Sequence, residues 1–195
     1  MIVQCKPIDP VNSLNDQLKK HHIIPRLLKC RPREVIVVLY PCNIVIKSGA
    51  TLDLPEVIKE PIIRYPSDPE KYYTLIVVDL DMPSKKDYVV WMVGNIRGCD
   101  VVPGQTLVPY NNRQGAEGDP VHRIVFLAYQ QYLELDFYDQ DIPSPGPEGR
   151  ANFNCAEFAR KYALGNPIAC NFYLTLWEWR WTPTFPAVEN TPLNM

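Results

Sequence analysis

From Val35 onward the chain alternates short apolar, β-branched runs with proline-rich or polar breaks, a spacing that predicts strands. The runs are VIVVLY (Val35 to Tyr40), CNIVI (Cys42 to Ile46), EPIIRY (Glu60 to Tyr65), KYYTLIVVDLD (Lys71 to Asp81), VVWMVGNI (Val89 to Ile96), RIVFLAYQQ (Arg123 to Gln131) and IACNFYLTLWEW (Ile168 to Trp179). Two stretches carry helical spacing instead. Leu14, Leu18 and Ile23 or Ile24 predict a helix over about Asn15 to Ile24, stopped by Pro25. Asn154 and Glu157 have capping-box spacing, with Phe158 and Tyr162 on one face, Arg160 and Lys161 pointing away, and Gly165 as the stop. Many strands and few helices predict an antiparallel β architecture with peripheral helices. No internal repeat or low-complexity segment interrupts it.

Composition narrows the class. A chain of 195 residues with 46% hydrophobic content buries one substantial core. Twenty prolines against nine glycines suit fixed turns between strands. A net charge of -2 gives neither a nucleic-acid footprint nor a polybasic membrane patch. The longest apolar runs are strand-sized, well short of the ~20 residues a membrane helix needs, and MIVQCKPIDP lacks the apolar core of a signal peptide. A cytoplasmic protein is expected. Six scattered cysteines without a C-x-x-C predict reduced, mostly buried thiols, with no metal cluster and no disulfide framework.

Two segments put polar groups at the edge of an apolar strand: DLDMPS (Asp79 to Ser84) and DPVHRIVFLAYQQ (Asp119 to Gln131). On a strand, Asp79 and Asp81 at i and i+2 point into one space. Pro83 ends that strand and makes Met82-Pro83 a candidate cis bond. His122 and Arg123 open the second strand, so adjoining strand ends would set a carboxylate pair against an imidazole that titrates near neutral pH. Arg123 is expected to pair with an acid of the first segment. His21 and His22, the other two histidines, are expected in solvent.

These segments, in the order PEKYYTLIVVDLDMPS, WMVGNIRG, PGQTLVPY, PVHR and AEFARKYALGNPIACNFY, resemble the phosphatidylethanolamine-binding proteins, the group that includes Raf kinase inhibitor protein. The resemblance runs from about Tyr40 to about Pro183. It implies a large central antiparallel sheet, a smaller sheet and Greek-key connections. It implies too a non-enzymatic binding protein without cofactor, metal or catalytic residues. The implied pocket of Asp79, Asp81, Pro83, Tyr110 and His122 takes a phospholipid head group or phosphorylated small molecule, and a kinase or protease is the implied protein partner. The domain would span residues 35 to 183, after a helical extension over 1 to 34 and before an irregular tail over 184 to 195.

The chain departs from the family motifs, roughly DPDxP and GxHR. Leu80 replaces the inner proline of the first and Pro120 the glycine of the second. Val90 stands where the family carries a histidine, and Ile124 where it carries a tyrosine. Trp179 or Trp181 stands in for a tyrosine near the C-terminus, and TPTFPAVENTPLNM has too many prolines for the family's final helix. These departures support a competing reading, an interaction protein with a degenerate, ligand-free pocket. Catalytic motifs such as G-x-S-x-G, the P-loop and H-E-x-x-H do not occur. The one constellation open to acid-base work is His122 with the two aspartates.

Overall fold

The computed structural model describes residues 11–82, 87–112, 121–146 and 148–176. In chain order these form helix α1 (Val11–Lys20), the short turn α2 (Ile23–Arg26), and strands β1 (Glu34–Val35), β2 (Val37–Tyr40), β3 (Ile44–Val45), β4 (Ala50–Asp53) and β5 (Ile62–Arg64). Then come β6 (Tyr72–Asp79), β7 (Tyr88–Arg97), β8 (Gln105–Val108), β9 (Val121–Gln130), helix α3 (Cys155–Lys161) and β10 (Ala169–Leu176).

A seven-stranded sheet has the order β1-β10-β9-β6-β7-β8, with β4 also paired to β10, and a three-stranded sheet has the order β3-β2-β5. The fold is mainly β, with a large and a small sheet as expected, but the large sheet is mixed. Strands β1 and β4 both lie parallel to β10. The reason is the path of the chain. It runs along one edge of β10, leaves after Ile36 to build the small sheet, and returns at Gly49 to the same edge, bonding Cys170 on departure and Phe172 on return. Only a crossover of this kind brings two successive segments alongside one strand in the same sense. Strands β4 and β8, absent from the sequence-based expectation, are four-residue strands without a continuous apolar run, so periodicity gave them no signal.

Central strands β6 and β9 are buried on both faces, which is why each reads as an unbroken apolar run. Alternate residues serve two cores. Leu75, Val77, Ile124, Phe126 and Tyr173 face the small sheet, where Val38, Tyr40 and Ile63 meet them. Ile76, Val78, Val125, Leu127 and Phe172 face Leu14 and Leu18 of α1 and Phe158 of α3. Each fully buried aliphatic or aromatic side chain in these layers contributes roughly 1.5–3 kcal/mol.

Both helices differ from the predicted bounds for local reasons. Helix α1 stops at Lys20, before the predicted Ile24, because His22 is left-handed (φ 54°) and Ile24, preceding Pro25, is extended. At α3 the Asn154 side chain accepts from the Glu157 N–H at 3.1 Å, as the capping pattern predicted. The helix unwinds past Lys161 through positive φ at Ala163 and Gly165. Among the described residues no helix is long and apolar enough to cross a membrane.

Candidate functional site

The end of β6 and the start of β9 do adjoin: Asp79 is the register partner of Ile124, and the Leu80 N–H extends the ladder to the Arg123 carbonyl. His122, two residues before Ile124, therefore projects from the same face as Asp79, toward the small sheet. Its Nδ1 lies 2.7 Å from Asp79 Oδ2, with side-chain exposures of 0% and 4%. The predicted meeting of carboxylate and imidazole is present, and fully buried.

Asp81 does not join it, contrary to the i, i+2 reading. Strand β6 ends at Asp79, whose Oδ1 accepts the Asp81 N–H at 2.9 Å, so the alternation of faces stops there. The Asp81 carboxylate instead accepts from Arg123 Nε (2.8 Å), Arg123 Nη2 (2.5 Å) and the Arg123 backbone N–H (2.9 Å). Arg123 points to the helix-covered face, where its Nη1 donates to the His21 carbonyl at 2.7 Å. Although burial opposes it, these Arg123 contacts hold the Asp81 carboxyl below its usual value. One motif thus supplies a carboxylate to each face of the sheet. The expected pairing of Arg123 with a motif acid is the Asp81 bridge.

Tyr110 belongs to a different cluster. Its hydroxyl donates to the Val57 carbonyl at 2.6 Å and lies 2.9 Å from the Tyr40 hydroxyl, and its ring meets Trp91 edge-on. Tyr40 in turn contacts the Tyr173 hydroxyl, which also accepts from Asn112. Burial pushes Tyr110 well above its ordinary value. Pro83, Pro120, Trp179 and Trp181 lie outside the described residues, as does the expected cis bond at Met82-Pro83 and the C-terminal tail.

Val90 and Ile124 are core side chains facing the small sheet. The Val90 carbonyl is nonetheless polar currency of the site, because it accepts from the Asn111 N–H and from a buried guanidinium that the sequence did not single out. Arg150, 1% exposed, donates to the carbonyls of Val89, Val90, Pro109 and Pro145 at 2.8–3.1 Å. Burial lowers its pKa, and the neighbouring Tyr88 hydroxyl acts in the opposite direction. A lone arginine in a Pro- and Gly-rich loop carries no periodicity that could have marked it.

Polar groups flank the buried pair on both sides. Tyr88 of β7 is the register partner of Asp79, and Thr175 of β10 is the register partner of His122. Tyr88–Asp79 and His122–Thr175 are therefore two directly opposed polar pairs, and because Asp79 faces Ile124 with His122 two residues away, the four make a stepped polar row across four strands, each no more than 3% exposed. Burial raises the Tyr88 pKa, Arg150 lowers it and Asp79 raises it, so both charges act on its hydroxyl. Among the described residues no group of three or more His, Cys, Asp or Glu could hold a metal ion. Five cysteines there are free, but only Cys155 and Cys170 are buried, so the expectation of mostly buried thiols fails at Cys30, Cys42 and Cys99.

A two-sheet β fold with a buried acid-imidazole pair at the strand ends defines a class, and comparison with known proteins gives its family. The chain belongs to the phosphatidylethanolamine-binding protein family, whose model matches residues 45–173. It is 29% identical over 166 residues to "Putative odorant-binding protein A5" of Drosophila melanogaster, covering 83% of this chain and 79% of that protein. It is 32% identical over 162 residues to a 26 kDa secreted antigen of Toxocara canis, covering 77% of this chain and 60% of the antigen. In fold it is similar to a carboxypeptidase Y inhibitor solved with its cognate proteinase (TM-score 0.74, 20% identity, 88% of this chain and 98% of the inhibitor).

Proposed function

We propose that this protein is a non-enzymatic binding module whose site, built on Asp79 and His122, takes a phosphorylated small molecule or phospholipid head group. The buried contact of 2.7 Å between the two carries this reading. A carboxylate held against an imidazole fixes the ring and its orientation, leaving the other ring nitrogen as the atom that can share a proton with a phosphate oxygen. Because Nδ1 is committed to Asp79, any contact His122 makes with a ligand is through Nε2. Arg150 adds a buried positive charge whose hydrogen-bond partners are all carbonyls. Asp81 is assigned to holding the loop through Arg123, and Tyr110 to the wall beneath the site. A protein partner of protease or kinase type is part of the proposal. The fold similarity to a protease inhibitor supports the first of these. The free thiols suit a reducing compartment such as the cytoplasm, whereas one relative bears the name of a secreted antigen.

A second reading, an interaction protein that has lost its ligand, is favoured by apolar Val90 and Ile124 and by the burial of the whole polar row. Backbone amide NMR titration with phosphoethanolamine separates the two, with the His122→Ala variant as control and its folding checked by amide dispersion. The binding reading expects saturable shifts around Asp79 and at Val121 to Arg123, lost in the variant. Unshifted spectra at millimolar ligand would leave the interaction-protein reading.

A further inference from the structure

Four buried polar side chains in one row, at strand positions otherwise filled by core residues, raise the question of what satisfies them. At the ends of the row the answer among the described residues is nothing: the Tyr88 hydroxyl and Thr175 Oγ1 are buried and have no hydrogen-bond partner. A buried hydroxyl left unpaired has given up its bonds to water without replacement, and native cores avoid it. Three buried hydroxyls of the described residues are in this state, and two of them are these. The third, on Tyr65, lies at the opposite end of β6, packed on Tyr73. The two are placed symmetrically: Tyr88 stands beside Asp79 on one flank of the buried pair, Thr175 beside His122 on the other.

Tyr88 also lies two residues before Val90 on β7, where alternation gives them one face, and both belong to the core that faces the small sheet. Its hydroxyl therefore supplies, from the same strand, a polar group that Val90 cannot. Around it are the Arg150 guanidinium, bonded to the carbonyls of Val89 and Val90, and the Asp79 carboxylate. Two hydroxyl donors without partners call for a ligand with acceptor oxygens, and the buried charge of Arg150, though its N–H groups are held by carbonyls, favours an anionic one. Strands lie about 4.8 Å apart and His122 is offset by two residues from Asp79's register partner, so three steps across the sheet and one such offset along it set the backbones of the row's ends ~16 Å apart. That span suits an elongated phosphate ester better than a bare phosphate ion.

We infer that Tyr88 and Thr175 are ligand-binding residues of this site, their hydroxyls donating to the oxygens of an extended phosphate ester that lies across the Asp79–His122 pair. The inference rests on the binding reading above and specifies its ligand contacts.

The test is calorimetric titration of wild type, Tyr88→Phe and Thr175→Val with glycerophosphoethanolamine and with inorganic phosphate, alongside ligand-free thermal melts. Each substitution removes a hydroxyl and keeps the shape. Expected is that both variants melt no lower than wild type without ligand, while affinity for the ester falls about 10-fold or more in each. Inorganic phosphate is expected to bind more weakly than the ester. Wild type that binds neither probe would overturn the binding reading and this assignment together. Wild-type binding that survives both substitutions unchanged would overturn the assignment alone. So would variants that melt lower without ligand yet bind as tightly, since the hydroxyls would then be serving a buried water or the fold.

Discussion

Strands β6, β7 and β9 carry buried polar groups at both ends, and the two ends are finished differently. At the far end Gln131 Oε1 accepts from Thr74 Oγ1 (2.8 Å) and from the Asn95 N–H (2.9 Å), while its Nε2 donates to Asn95 Oδ1 (2.8 Å) and to the Leu133 carbonyl. Asn95 completes the knot with Leu135, donating to its carbonyl and accepting from its N–H. At the near end the Asp79–His122 pair is flanked by two hydroxyls with no partner among the described residues. Burial is equal, since Thr74 and Gln131 are as enclosed as Tyr88 and Thr175. The difference is local: the network around Gln131 is closed, although the Tyr65 hydroxyl at that end is also buried without a partner, whereas both hydroxyls flanking the near-end pair lack one. A closed network fixes a fold, whereas unpartnered buried hydroxyls leave hydrogen-bonding capacity that a water or a ligand can use.

Substitutions can break or sharpen that contrast. The largest loss is expected for Asp79→Ala, which leaves a buried imidazole and the Asp81 N–H without their acceptor and should cost about 3–5 kcal/mol in urea denaturation. A loss under about 1 kcal/mol would show that the near-end pair does not hold the fold. Gln131→Leu should cost about 3 kcal/mol by stranding Thr74 and Asn95, and should leave phosphate-ester affinity unchanged. A fall in affinity would mean the two ends are not independent.

The Asp81 bridge is expected to show itself in acid. Its folded carboxyl lies below the ordinary value, so its stabilisation is complete above about pH 4 and is lost as pH falls through the depressed folded pKa. Melting temperatures between about pH 5 and 2 should therefore fall less steeply in Asp81→Asn than in wild type, because the variant has no such carboxylate to protonate. Parallel curves would remove Asp81 from the account of acid stability. Arg26 reaches Asp81 at only 3.5 Å from an exposed position, and Arg26→Ala should change stability by less than about 1 kcal/mol.

Part of this contrast was readable in advance. Asp79 and His122 stood out because each interrupts an apolar run at a strand edge, and the Arg123 bridge followed from a cation beside two acids. Strand alternation puts Asp81 on the same face as Asp79, but alternation holds only while a strand continues, and β6 ends at Asp79. Tyr88, Thr175 and Arg150 went unmarked for different reasons. A tyrosine or threonine within an apolar strand looks like ordinary strand composition, and a loop arginine has no periodic neighbours. A threonine in ACNFYLTL and a tyrosine two places from Val90 were nonetheless signals that register could have united.

The sequence by itself determined the strand content, the capped helix at Asn154 and the family, because these rest on local periodicity, capping spacing and motif order. Only the tertiary structure decided which polar groups share a face, that β1 and β4 run parallel to β10, and that Asp79 and Asp81 part company. Those facts depend on register between strands distant in the chain, where a shift of one residue exchanges core for surface. No local pattern encodes that pairing; the joint packing of two cores against one sheet does.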